Sequence, residues 1–119
     1  MPLTFNTDQV YSADSFGANA IGYAGIAKTL TLKDDMSLKR TTPKPTSTFS
    51  GVSRTTSKMT RTMALTGALQ PLWDCIFELS AVIPVGSSAA DVEAMRDDFA
   101  AFVATDEFLD SLLTQKISF

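Results

Sequence analysis

Histidine is absent from this 119-residue sequence, and cysteine occurs once, at Cys75. Without histidine and with a single thiol, the usual catalytic triads and zinc sites cannot be built. A lone cysteine also excludes an intrachain disulfide, which favours folding in a reducing cytoplasm. No apolar run approaches the roughly 20 residues of a membrane-spanning helix, and the first residues show no leader pattern. We therefore expect no catalytic site, cofactor, metal, small-molecule substrate or membrane segment.

Negative charge is missing from the middle of the chain. Residues 36–73 contain no acidic side chain but six basic ones, whereas residues 74–119 contain nine acidic and two basic ones. The net charge of −3 taken alone argues against a nucleic-acid partner. Its distribution predicts instead one basic and one acidic face, with ordinary charge clustering as the alternative.

Apolar and polar residues alternate over several segments, which is typical of strands. We predict strands at 3–6, 28–33 and 36–40, with a turn at Asp34–Asp35. The Thr- and Ser-rich stretch predicts a strand near 46–52, a turn at 53–57 and a strand near 58–66. Residues 72–85 predict a further strand ended by Pro84 and Gly86, although a buried helix is the alternative.

The pattern then changes to helical spacing. Ser88 begins a capping box, and an apolar stripe predicts a helix over about 89–104. Thr105 predicts the start of a second helix over about 106–115. Strands followed by two helices predict one α+β domain with an antiparallel sheet, the sheet within about 1–87 and the helices within about 88–115. The stripe residues expected to be buried are Val92, Met95, Phe99, Phe102, Phe108 and Leu112.

Strand parity separates two faces of the predicted sheet. Odd positions are mostly apolar and include Cys75, while Arg61 is an exception with no explanation in the pattern. Even positions are mostly hydroxyl and lysine side chains, which suit phosphate and base contacts, although a solvated face is the alternative. The candidate RNA contacts are Lys44, Thr46, Thr48, Lys58, Thr60, Thr62 and Ser80.

Three segments taken in order carry a resemblance to a known family. LKRTTPKP at 38–45, RTTSKMTRT at 54–62 and IPVGSSAADVE at 83–93, followed by an Ala- and Phe-rich helix, resemble the coat proteins of leviviruses. The resemblance covers most of the chain and is strongest over about 38–115. No single motif is diagnostic of the family, so the order of the segments carries the resemblance.

The resemblance implies a fold and a role. It implies an N-terminal hairpin, a five-stranded antiparallel sheet and two C-terminal helices, which lie over the sheet of a partner in an interlocked homodimer. Such dimers would build an icosahedral shell in the virion, made in the bacterial host cytoplasm. The face away from the helices would package single-stranded RNA and could repress translation through an RNA hairpin.

The resemblance also shows departures. Ile76 and Glu78 stand where well-studied members stack a base on tyrosine and place an asparagine, which predicts weak sequence selectivity. The connection at 67–71 is shorter than in those members, which bears on the shell geometry. A dimeric RNA-binding repressor that forms no shell is the alternative, and a small enzyme is a third reading that the missing catalytic groups disfavour.

Overall fold

The computed structural model describes residues 3–6 and 9–118. Six strands are followed by two helices. Their bounds are β1 Leu3–Asn6, β2 Gln9–Phe16, β3 Ala20–Ala24, β4 Asp34–Thr41, β5 Val52–Ala64, β6 Leu72–Pro84, α1 Ala89–Val103 and α2 Asp106–Thr114.

Every strand pairs antiparallel with the next one along the chain, so the strands lie in the order β1 to β6. Strands β2–β6 form the predicted five-stranded sheet, and β1 pairs with β2 as the predicted N-terminal hairpin. The longest strands are β5 and β6, which have 13 residues each and pair along their whole length. Strand β6 lies at an edge of the sheet. The predicted α+β fold is therefore confirmed.

The strand predicted at 28–33 is wrong, because these residues lie in the β3–β4 loop. The hydroxyl of Thr29 accepts hydrogen bonds from the backbone N–H groups of Thr31 and Leu32 at 3.3 and 3.0 Å. Such a bond offers the backbone an alternative to pairing with a neighbouring strand. The turn predicted at Asp34–Asp35 is also wrong, since both residues begin β4.

The strand predicted near 46–52 is wrong as well. Residues 42–51 form an irregular loop, in which the hydroxyl of Thr46 accepts a hydrogen bond from the backbone N–H of Phe49 at 3.2 Å. Gly51 ends the loop at φ +94°, a conformation that L side chains rarely adopt. Strand β5 then runs without interruption through 53–57, where a turn was expected.

The two helices begin at the predicted residues. Ser88 caps α1 by accepting a hydrogen bond from the N–H of Asp91 at 3.1 Å, and Thr105 caps α2 through the N–H of Phe108 at 3.2 Å. Both caps satisfy a backbone donor that the first turn leaves without a helical partner. The prediction of two helices is confirmed.

The chain divides into two compact units after Val85. The described core is small, since Tyr11 is its one fully buried large side chain. Neither α1 nor α2 contains a buried residue. No helix in the described part of the chain is long and apolar enough to cross a membrane.

Candidate nucleic-acid interface

The register of β4, β5 and β6 places polar side chains in rows across one face of the sheet. Residues directly opposite each other in an antiparallel pair point to the same side. One row joins Lys39, Thr56 and Ser80, and the next joins Ser37, Lys58 and Glu78. At one end of this polar face, the outer row joins Thr41, Arg54 and Val82. At the other end, one row joins Asp35, Thr60 and Ile76, and the outermost row joins Thr62 and Asp74.

Four of the candidate RNA contacts lie on this polar face: Lys58, Thr60, Thr62 and Ser80. The structure adds Lys39, Arg54 and Thr56, which sequence reasoning missed. Lys39 is an odd-numbered residue, whereas the residues of β5 on this face are even-numbered. Only the pairing of Lys39 with Thr56 shows that the two share a face. Arg54 and Thr56 were missed because a turn was expected at 53–57. Thr56 and Ser80 lie close enough for their hydroxyls to approach to 3.5 Å.

The other three candidate contacts lie in the 42–51 loop and not on a strand. Lys44, Thr46 and Thr48 are exposed there. This loop joins the end of β4 to the start of β5, so it adjoins the row that contains Thr41 and Arg54. The even parity assigned to these three residues has no meaning outside a strand, and their contact with RNA stays a prediction.

Ion pairs occupy the opposite end of the polar face. The Nζ atom of Lys33 lies 2.9 Å from the carboxylate of Asp74, and Thr62 donates its hydroxyl hydrogen to the same carboxylate at 2.9 Å. The bond from Lys33, followed by that from Thr62, lowers the pKa of Asp74. The Nζ atom of Lys28 likewise lies 2.9 Å from the carboxylate of Asp35, and this hydrogen bond raises the pKa of Lys28.

The same Thr62 hydroxyl also accepts a hydrogen bond from the backbone N–H of Lys33 at 2.9 Å. Thr62 therefore ties the β3–β4 loop to β5 while it holds Asp74. A shallow cleft of about 290 Å³ at this end is lined by Thr31, Lys33, Thr62, Leu72, Trp73 and Asp74.

The opposite face of the sheet is largely apolar. Directly paired residues there include Met59 with Phe77 and Met63 with Trp73. Phe77, Met63 and Trp73 are 49%, 45% and 62% exposed. Cys75 lies on this face as predicted and is half-buried. The chain thus presents a wide apolar surface that a water-soluble monomer would rarely expose.

Arg61, the exception on the apolar face, belongs to a polar cluster. Its Nε atom donates to the carboxylate of Asp34 at 3.2 Å, and its Nη2 atom donates to the hydroxyl of Tyr11 at 2.8 Å. The Tyr11 hydroxyl donates in turn to Asp34 at 2.8 Å. Burial raises the pKa of Tyr11, and the bond to Tyr11 raises that of Arg61. The sequence around Arg61 does not predict these partners, because Asp34 and Tyr11 are 27 and 50 residues away from it along the chain.

The helices carry the other exposed apolar surface. Met95, Phe99, Phe102 and Leu112 are 73%, 47%, 47% and 44% exposed, while Val92 and Phe108 are half-buried. The Phe102 ring contacts Phe99 at a centroid distance of 6.3 Å and Phe108 at 5.3 Å. These contacts join the stripes of α1 and α2. The burial of these six residues against a partner stays a prediction.

The chain has the fold of the coat proteins of levi-like RNA phages. The virus-like particle of Beihai levi-like virus 32 matches at a TM-score of 0.81 and 12% identity, over 95% of this chain and 91% of that chain. The virus-like particle of Wenzhou levi-like virus 4 matches at 0.79 and 18% identity, over 97% and 82%. The coat protein of bacteriophage EMS014 matches at 0.63 and 14% identity, over 87% and 76%.

At these identities the similarity concerns the fold. No protein-family model matches the sequence, and no curated protein matches it. The fold implied by the sequence resemblance is confirmed, whereas the interlocked dimer stays a prediction.

Proposed function

We propose that this chain is a structural capsid protein, not an enzyme, which forms dimers and assembles into an icosahedral shell. The observation that carries the proposal is the pair of exposed apolar surfaces, one on the sheet and one on the helices, in a fold shared with subunits of virus-like particles. A protein whose role is assembly needs such surfaces, because contacts between copies bury them.

The exposed area supports this assignment. The chain exposes 9315 Å², about 3,000 Å² more than the roughly 6,300 Å² typical of a folded monomer of its size. Obligate homodimers commonly bury about 2,000–5,000 Å² over both chains, that is about 1,000–2,500 Å² per chain. The excess is therefore large enough to be the interface of an obligate dimer.

The geometry favours an interlocked arrangement. Strand β6 lies at a sheet edge and has 13 residues, and a long exposed edge strand readily pairs with another chain. Pairing of β6 with its copy would join the two sheets into one. The apolar faces of the two chains would then lie side by side and form one continuous surface. The stripes of α1 and α2 would then lie over the apolar face of the partner.

The polar face is then left free to meet the shell contents. Hydroxyl and basic side chains make most protein contacts to phosphate and sugar. We assign single-stranded RNA as the packaged partner, because the face carries Lys39, Arg54 and Lys58 although the whole chain has a net charge of −3. The acidic helices would face outward. In this assignment the protein is made in the bacterial host cytoplasm and resides in the virion.

Translational repression through one RNA hairpin is a finer function that the same face could perform. Ile76 and Glu78 occupy the middle of β6 on this face. Neither side chain offers the stacking ring and the amide that the family resemblance implies, and a carboxylate disfavours nearby phosphate. We therefore expect weakly selective packaging, and any repression to be correspondingly weak.

Nuclease protection tests the packaging role. The protein is expressed in bacteria, the large species is isolated by sedimentation, and external RNA is digested before extraction. Protected RNA of mixed sequence is the expected result. Large particles that contain no protected RNA would contradict the RNA assignment, and RNA recovered only with a small soluble dimer would favour the repressor that forms no shell.

A further inference from the structure

The charges on the polar face are distributed unevenly along the strands. Lys39, Arg54 and Lys58 lie in the three rows nearest the 42–51 loop, and Lys44 lies in that loop. Glu78, directly opposite Lys58, is the one acidic residue in these three rows of β4, β5 and β6. We call this part the cationic end. Asp35 and Asp74 lie in the rows at the other end, which we call the acidic end.

The register places the basic groups close together. Lys39 is directly opposite Thr56, so Arg54 and Lys58 are its two diagonal neighbours on β5. Diagonal neighbours on one face lie roughly 7–8 Å apart. Three cations therefore surround the hydroxyl of Thr56, which itself lies beside that of Ser80. This arrangement offers both charge for phosphates and hydroxyl groups for sugars and bases.

The cationic end is also open to a ligand. Among the described residues, no ion pair involves Lys39, Lys44, Arg54 or Lys58. A shallow cleft of about 240 Å³ lies beside Lys39 and Ser37, above the small residues Ala20 and Gly22. The cleft gives room for a nucleotide next to the basic groups.

The acidic end is closed by its own contacts. Lys28 and Lys33 are held by Asp35 and Asp74 at 2.9 Å each, so their charges are neutralised within the protein. Thr62 uses its hydroxyl both to donate to Asp74 and to accept from the N–H of Lys33. A phosphate that approached these groups would face two carboxylates and would have to break existing bonds.

We propose that single-stranded RNA binds the cationic end of the polar face, through Lys39, Arg54 and Lys58, and does not contact the acidic end. This inference rests on the proposed RNA-packaging function and narrows it to one half of the face. It adds Lys39 and Arg54 to the candidate contacts, and it removes Thr60 and Thr62, which lie in the rows of Asp35 and Asp74. Lys28 and Lys33, although basic, are positioning residues for the loop.

The test compares Lys39 of β4 with Lys33 of the β3–β4 loop, which lies at the acidic end. Binding of a short mixed-sequence single-stranded RNA by the full-length protein is measured between about 50 and 200 mM salt, below the concentration at which particles form. Each cation that contacts phosphate contributes about 0.7 to the slope of log affinity against log salt for a single strand. Lys39→Ala should lower the magnitude of the slope by about that amount. The loss of affinity over the fourfold rise in salt should then be about 2.6-fold smaller for the variant than for the unmodified protein. Arg54→Ala should act in the same way.

Lys33→Ala is the matched control, because it removes the same charge from the other end of the face. Its slope should equal that of the unmodified protein. Lys33→Ala/Asp74→Ala, which keeps the net charge, should also bind RNA normally. Circular dichroism verifies that each variant is folded.

The outcomes separate this inference from the function on which it rests. If Lys33→Ala lowers the slope as much as Lys39→Ala, RNA spans the whole face and the inference is wrong. If the unmodified protein binds RNA but neither Lys39→Ala nor Arg54→Ala changes the slope, the inference is again wrong while packaging stands. If the unmodified folded protein binds no RNA at any of these salt concentrations, the RNA-packaging function itself is wrong.

Discussion

Truncation of Phe102 to alanine is expected to weaken the dimer strongly. The ring is 47% exposed in the single chain, and its covered part packs against Phe99 and Phe108. Truncating a fully buried phenylalanine costs about 3–5 kcal/mol. Because about half of the side chain is still open to a partner, we assign about half of that cost to dimerisation, roughly 1.5–2.5 kcal/mol per protomer.

Each dimer contains two copies of the substitution. The total cost to dimerisation is then roughly 3–5 kcal/mol, which raises the dissociation constant by about 100- to 4,000-fold. Sedimentation equilibrium over a dilution series measures this constant directly. Phe49→Ala is the matched control, since Phe49 is 54% exposed but lies in the 42–51 loop, and it should leave the constant nearly unchanged. The reasoning is refuted if Phe102→Ala dimerises as tightly as the unmodified protein, or if the unmodified protein is a folded monomer at micromolar concentration.

Three further predictions concern single residues. Particles of the unmodified protein should survive reducing agent, and Cys75→Ser should still assemble, because Cys75 is half-buried on the apolar face. Dissolution of the unmodified particles by reductant would instead indicate an interchain disulfide. Gly25→Ala should lower stability by about 1–3 kcal/mol in thermal unfolding, since a Cβ there would collide with the carboxylate of Asp34; an unchanged melting temperature would contradict this packing. In a carboxyl NMR titration, the pKa of Asp74 should lie below that of an ordinary aspartate, because Lys33 hydrogen-bonds its charged form. The resulting stabilisation is present above the ordinary pKa and is lost as the pH falls through the lowered pKa. Lys33→Ala should raise the pKa of Asp74.

Local signals in the sequence were sufficient for the C-terminal half of the fold. Ser88 and Thr105 cap the helices through bonds that span three residues, so the pattern that predicts them is contained within one turn. Strand β6 was also predicted, because Pro84 and Gly86 end it and its sequence contains Val, Ile and Phe. The alternative of a buried helix for 72–85 is wrong.

Contacts between distant residues decided the parts that the sequence did not predict. The 53–57 segment contains no hydrophobic residue, yet it forms part of strand β5, because β4 and β6 pair with it on both sides. The partners of Arg61 come from strands β2 and β4. Lys39 joins the polar face through the β4–β5 register alone. Parity within one strand assigns faces correctly, but it does not relate one strand to the next.

We propose that this chain assembles into a shell around single-stranded RNA, and expression without other phage components tests this proposal. The most direct measurement is to express the chain alone, purify the large species, and combine electron microscopy with the ratio of ultraviolet absorbance at nucleic-acid and protein wavelengths. We expect closed particles with the absorbance ratio of a nucleoprotein. A monomer free of RNA would contradict it.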